Sequence, residues 1–152
     1  MNANLSYSFD NFSVDEVNWL DAQHLLAHVR KSVFGYEQRV PSNIDFDGKD
    51  QDCFHVLVTD SSGAAIGTGR MTSKGKIGRV AVLISHRGQG IGSQILEALI
   101  AIAKKNNIDM VKLHAQIQAI DFYQRHQFKV QGPVFMEAGI PHQSMLRYCS
   151  QQ

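Results

Sequence analysis

The chain has 152 residues, 43% hydrophobic and 19% charged, the make-up of a single domain (1–152) with its own core, not of a disordered or fibrous chain. Lys and Arg number 15 against 14 Asp and Glu, a formal charge of +1, so net charge steers it neither to nucleic acid nor to an anionic membrane. The opening MNANLSYSFDNF lacks the basic start and apolar stretch of a secretory signal, and no apolar run nears the roughly 18 residues of a span, which predicts a cytoplasmic protein without a membrane partner.

Leu5 to Phe9 alternates as a first strand. Ser13 followed by Glu16 has the form of a capping box, and Val17, Leu20, His24 or Leu25, Val29 and Val33 recur at helical spacing. This predicts a helix, or two with a short break, from Val14 to about Tyr36. RVPSNIDFDGKDQD, Arg39 to Asp52, reads as a polar loop of about fourteen residues, a length that often carries function. Cys53 to Thr59 and Ala64 to Met71 read as strands about a turn at Asp60 to Gly63. A second turn at Ser73 to Gly75 leads into Lys76 to Ile84, completing an antiparallel meander.

From Gly90 onward Ile91, Ile95, Leu99 and Ile102 predict a helix that stops near Asn106-Asn107, with Lys104 and Lys105 in its last turn. Asp109 to Ala115 follows as a strand, Ala119 to His126 as a short helix, and Phe128 to Val130 and Ser144 to Cys149 as closing strands. The fold class is α+β (mixed α/β), a largely antiparallel sheet flanked by helices. The passage from the third meander strand through the Gly90 helix to the Asp109 strand is long enough for a parallel crossover. Cys53 and Cys149 lie among apolar neighbours without C-x-x-C spacing and read as reduced residues packed in strands.

The stretch VAVLISHRGQGIGSQ, Val80 to Gln94, interrupts this pattern with a cation and bare backbone at the mouth of a helix. The first helical turn leaves N–H groups without acceptors and carries partial positive charge. Gly88, Gly90 and Gly92 keep side chains off those donors, and Arg87 adds a forked full charge. Together they describe a phosphate or pyrophosphate site. It is not a Walker loop, since no lysine follows a suitable glycine, and G-Q-G-I-G after a meander is a poor dinucleotide fingerprint.

R-x-x-G-x-G at Arg87 to Gly92, directly after V-A-V, resembles the acyl-CoA signature of the GCN5-related N-acetyltransferase (GNAT) superfamily. AIDFYQRHQF resembles that family's A-x-x-x-Y-x-x-x-G-F segment, with Gln127 where the family has glycine and Gln118 in place of a common asparagine. VFGYEQRVP, DFDGKDQDCFH, LHAQ and FMEAGIPHQSM resemble its ElaA/YjcF-like branch. The resemblance implies a central sheet of six to seven strands, acetyl-CoA as acyl donor, no metal cofactor, an amine of a small molecule or protein as acceptor, and a homodimer as a common assembly.

By that resemblance the backbone of Arg87, Gly88, Gln89, Gly90, Ile91, Gly92 and Ser93 holds the pyrophosphate. Ala81, Val82 and Leu83, splayed at a bulge, pair with the pantetheine arm, and an N–H there faces the thioester oxygen. Gln118 belongs to the same cofactor surface. Tyr123 is the general acid, since a phenol stays protonated at neutral pH and can donate to the departing thiolate; otherwise it reads as a core tyrosine beside Phe122. Glu37, Glu137, His114 and His142 are candidates for the base.

Other constellations carry less chemistry. His24 and His28 are four apart on a helix, but nothing is placed to complete a metal site. Asp45, Asp47, Asp50 and Asp52 lack EF-hand spacing and read as a solvated loop that faces a cationic substrate. Arg70 and Arg79 read as surface charges of the meander, with Arg79 also placed to reach the cleft. Two other functions fit the loop: an acyl-CoA-binding sensor that does not catalyse, and a nucleotide-binding protein.

Overall fold

The computed structural model describes residues 3–150, so the ends of the expected 1–152 domain lie outside the described residues. The strands are β1 (Ser6–Phe9), β2 (Phe12–Val17), β3 (Phe54–Thr59), β4 (Ala65–Met71), β5 (Lys76–Val82), β6 (Met110–Gln116), β7 (Lys129–Glu137) and β8 (Ile140–Tyr148). The helices are α1 (Trp19–Arg30), α2 (Ser42–Asp45), α3 (Ile91–Lys105) and α4 (Ile120–Arg125). Among the described residues the strands form one eight-stranded sheet in the order β1-β2-β3-β4-β5-β6-β8-β7. The β5–β6 pair is parallel and the other pairs are antiparallel.

One strand more than expected comes from Phe12–Val17. Its residues pair with β1 on one side and β3 on the other, so the capping-box reading fails. Ser13 Oγ bonds Asp15 Oδ2 at 2.7 Å, while Glu16 Oε1 accepts from Leu5 N at 2.9 Å and binds Lys105 Nζ at 2.6 Å. The helix begins instead at Asn18, whose side chain accepts from Asp21 N at 2.9 Å and so satisfies a free first-turn donor. Its buried face is Ala22, Leu26 and Val29, whereas Leu20 and Leu25 are exposed. The closing strands are also longer than expected. The MEAGIPH segment is a tight hairpin, with Ala138 and Gly139 both at positive φ, the geometry that matches the twist of paired strands.

The sheet is covered on both faces. Val56, Val58 and Ile66 pack with α3, while Leu57, Ala65 and Ala81 pack with α1, as the strand period of two requires. Ile95, Leu96, Leu99 and Ile102 of α3 are wholly buried. Glycines in β4 let that helix press against the sheet: a Cβ on Gly69 would come within 2.6 Å of Ile95 Cγ2 and 3.0 Å of Leu99 Cδ1.

Candidate active site

Strands β5 and β6 touch only at Lys76–Lys112 and Ile77–Leu113. Beyond that point β5 stays with β4 and β6 continues along β8 as far as Gln116–His142. The strands part, and a cavity of about 440 Å³ opens between them, lined among others by Arg79, Val80, His114, Gln116, Tyr123 and His142. The divergence is set by a bulge: Thr68 faces Ala81 and Arg70 faces Gly78, leaving Gly69 opposite both Arg79 and Val80, with Arg79 at φ 54. This distortion lies just before the expected stretch Ala81–Leu83.

Leu83 N donates to Ile66 O at 2.9 Å, and with Thr68 opposite Ala81 the alternation of an antiparallel ladder turns the main chain of Ala81 and Leu83 toward β4. So of Ala81, Val82 and Leu83, only Val82 turns its N–H and C=O away from β4, and Val80, which lines the cavity, turns the same way.

The glycine loop leads from that strand into α3. Gly88 and Gly90 have φ 79 and 81, a left-handed backbone that favours glycine. The first helical bond runs from Gln94 N to Gly90 O at 3.1 Å. Among the described residues the N–H groups of Gly88, Gln89, Gly90, Ile91, Gly92 and Ser93 meet no protein acceptor. Ile91 buries its side chain in the core, so its N–H is what it offers here.

Arg87 is tied down on both sides of its guanidinium. Its Nε donates to Val82 O at 2.9 Å and its Nη2 to Glu37 Oε1 at 2.7 Å. Glu37 is delivered by a wide helical turn, Lys31–Glu37, that continues α1, with Gln38 N bonded to Val33 O. Such turns shift the phase of a helix face. Glu37 is thus paired with Arg87 and is not among the residues that line the cavity. Gln38 crosses to β6, where Gln116 Nε2 donates to Gln38 Oε1 at 2.9 Å and Gln118 Nε2 donates to Gln116 Oε1 at 2.7 Å. Gln38 and Gln116 were not evident as site residues, because their pairing needs the fold.

Tyr123 lines the cavity with Phe122 and Phe128 packed edge-on to its ring at 5.1 and 5.9 Å. Desolvation by these surroundings pushes its pKa up to about 12. Its hydroxyl meets no hydrogen-bond partner among the described residues. Three expected base candidates gather on β6, β7 and β8: His114 Nδ1 is 3.0 Å from Glu137 Oε1, and His142 Nε2 is 3.8 Å from Glu137 Oε2. His142 Nδ1 donates to Ile140 O at 2.7 Å, which leaves Nε2 free to accept a proton. Phe135 packs against both imidazoles.

The aspartates of the long loop are not solvated. Asp45 and Asp50 are buried, and Arg30, Arg70 and Arg79 occupy them. Arg30 binds Asp45 Oδ1 at 3.0 Å and Asp50 Oδ1 at 2.7 Å, and Arg70 binds Asp47 and Asp50. The Arg30 guanidinium also lies over Phe46 and Trp19, 4.5 and 5.5 Å from the ring centroids. Arg70 is therefore not a surface charge, and the loop forms the neutralised floor of the cavity; Asp52 alone of the four remains exposed. The Arg70 hydrogen bond holds Asp47 well below the usual carboxylate range. For Asp50, burial acts upward but the Arg30 and Arg70 contacts prevail and lower it.

His24 and His28 are exposed on α1, and no group of three metal-ligating side chains occurs among the described residues. Both cysteines are free, Cys149 buried and Cys53 partly so, each just outside a strand. Among the described residues no helix is long and apolar enough to cross a membrane.

A profile of the acetyltransferase (GNAT) domain matches residues 22–149. The YjcF protein of Bacillus subtilis, described as an uncharacterized N-acetyltransferase, is 37% identical over 124 residues, covering 79% of this chain and 88% of its own. Among solved structures, Escherichia coli ElaA superposes with TM-score 0.80 at 27% identity over 90% of this chain and 99% of its own. An acyl-CoA N-acyltransferase from Pseudomonas aeruginosa gives 0.76 at 28% identity over 90% and 97%.

Proposed function

The chain belongs to the acetyltransferase (GNAT) family, and we propose that it moves an acetyl group from acetyl-CoA directly to a primary amine of a small molecule or protein in the β5–β6 cleft. The observation that carries this reading is the parting of β5 from β6: it puts Val80 and Tyr123 on the walls of one cavity, and β5 runs on through the glycine loop to the acceptor-free N–H groups at the head of α3.

The loop residues supply N–H donors of the kind a diphosphate requires. The main chain of Val80 and the N–H of Val82 offer edge hydrogen bonds to the pantetheine amides, and an N–H at the bulge is suited to a thioester oxygen that gains charge on attack, an effect commonly worth about 3 kcal/mol. Arg87, with its guanidinium split between Val82 O and Glu37, braces this edge. Tyr123, still protonated at neutral pH, gives its proton to the leaving thiolate.

The amine must reach this point uncharged. Glu137, flanked by His114 and His142, is suited to hold it as a cation, and the free Nε2 of His142 to take its proton directly or through water. The cavity volume, about 440 Å³, suits a small amine or one side chain.

Calorimetry with acetyl-CoA, ATP and NAD, paired with a thiol-release screen of amines, aminosugars, polyamines and peptides, tests the assignment. Acetyl-CoA binding with thiol release for one acceptor class is the expected result. Binding of acetyl-CoA with no release would favour a non-catalytic sensor, and preference for ATP would refute the cofactor assignment.

A further inference from the structure

His126 stands just behind the phosphate loop and belongs to none of the roles above. Its Nδ1 is 2.7 Å from Glu97 Oε2 and its Nε2 is 2.9 Å from Ser93 Oγ, in the first turn of α3. A carboxylate oxygen only accepts, so Nδ1 carries a hydrogen. Nε2 then has two states with opposite consequences. In neutral imidazole it accepts, and the Ser93 O–H points into the ring, away from any anion. In imidazolium Nε2–H donates to Ser93 Oγ, and the hydroxyl hydrogen is released outward beside the free N–H of the same residue.

The surroundings fix this ring rather than letting it turn. Arg147 Nη1 donates to Glu97 Oε2 at 3.2 Å and to His126 O at 3.0 Å. Phe122 packs on the imidazole with centroids 5.0 Å apart. The charged groups facing it are Glu97 from α3 and Arg147 from β8, with Tyr7 of β1 near enough to feel the Glu97 charge. Glu97 and Arg147 offset each other, so an arriving anion sets the balance.

We propose that His126 is a positioning residue for the cofactor: anion binding at the head of α3 draws a proton onto its ring, which turns the Ser93 hydroxyl outward to donate to the diphosphate. The reading rests on the loop's binding of a diphosphate, assigned above. Linkage makes the effect reciprocal, so a ligand that prefers protonated His126 binds more tightly as pH falls. The ring loses no bond in the exchange; the Ser93–His126 contact reverses its donor, and one proton is taken from solvent.

The probe is dephospho-CoA, whose diphosphate does not titrate near neutrality and which lacks the 3′-phosphate that would. Titration calorimetry in buffers of low and high ionisation heat counts protons taken up. Wild type takes up a clear fraction of one proton, and affinity rises toward pH 6. His126→Gln takes up none and binds about tenfold more weakly at pH 6, the worth of one charge-assisted hydrogen bond, while matching wild type at pH 9. Ser93→Ala, which keeps the ring, flattens the affinity profile in the same direction. Wild-type binding without proton uptake, or uptake that survives in His126→Gln, overturns the proposal and leaves the loop assignment intact. Failure of wild type to bind dephospho-CoA or CoA at any pH overturns the loop assignment itself.

Discussion

Glu37, at the end of the wide turn that continues α1, and Arg87, in the loop before α3, are joined by one bond, Arg87 Nη2 to Glu37 Oε1 at 2.7 Å. The same guanidinium donates to Val82 O, so the carboxylate indirectly holds the free edge of β5. Both side chains are partly exposed, 43% for Arg87 and 28% for Glu37, and an exposed pair contributes little to stability. Its importance is therefore to placement. Glu37→Gln should leave the unfolding midpoint nearly unchanged, weaken acetyl-CoA binding several-fold, and keep the pH profile of kcat. A lost acidic limb in that profile would make Glu37 the base. Steady-state kinetics from pH 5 to 9 decides between these.

Asp50 Oδ1 accepts from Arg30 Nη1 at 2.7 Å and from Arg70 Nη1 at 3.0 Å. Two buried guanidinium groups share this carboxylate, so Asp50→Asn leaves cationic charge uncompensated and should cost about 3 kcal/mol at pH 7. Asp47 and Asp50 both titrate below their ordinary value in the folded protein, through Arg70 for the first and through Arg30 and Arg70 against burial for the second. A depressed carboxylate stabilises the fold above its unfolded pKa, about 3.9, and loses that contribution as pH falls through the lower folded value. Wild type should thus weaken steeply below about pH 4, and Asp50→Asn less steeply. Urea unfolding at pH 7 and pH 3 measures both.

How far the sequence announces this arrangement depends on the range of the interactions involved. The α3 helix and its loop were legible because their determinants are local: Ile91, Ile95, Leu99 and Ile102 face one core, and Gly88 and Gly90 take the left-handed backbone that the spacing invited. The expected Tyr123, His114, Glu137 and His142 do converge on one cavity. Phe12–Val17 misled because Ser-x-x-Glu has the same local form at a helix start and on a strand, and pairing to β1 and β3 decided the outcome. The Asp45–Asp50 loop misled for a related reason. Its partners Arg30, Arg70 and Arg79 come from three other elements, and a charge run looks solvated until the cations that bury it are in place.

Among the described residues that line the cavity Tyr123 is the one tyrosine, so its removal is a sharp test. Tyr123→Phe should lower kcat by about 10²- to 10⁴-fold and leave acetyl-CoA affinity within about threefold, since the ring packing is kept. The phenol, pushed up to about 12 by burial, also makes a prediction at alkaline pH. A group whose folded pKa exceeds its unfolded one, about 10, stabilises the fold fully below pH 10 and less as pH rises toward 12. Denaturant unfolding of wild type should weaken over that interval more than that of Tyr123→Phe. Unchanged kcat in the variant would take Tyr123 out of the mechanism.

Gln127 occupies the position that ends α4, at φ 69, with Gln127 N bonded to Gln124 O at 3.0 Å and Phe128 N to Tyr123 O at 3.1 Å. The turn that a glycine forms in the resembled G-F segment is thus kept by a residue with a Cβ. Holding a side chain in the left-handed region costs about 1–2 kcal/mol, while glycine gives back about 0.5–1 kcal/mol through its freer unfolded chain. Gln127→Gly should therefore stabilise the protein by about 0.5–1 kcal/mol, a rise in Tm of about 1–4 °C for a chain of this size. Because the turn delivers Phe128 to the core and so packs the ring of Tyr123, kcat should not fall. A lower Tm in calorimetry would mean that the Gln127 side chain makes contacts worth more than the strain of its backbone.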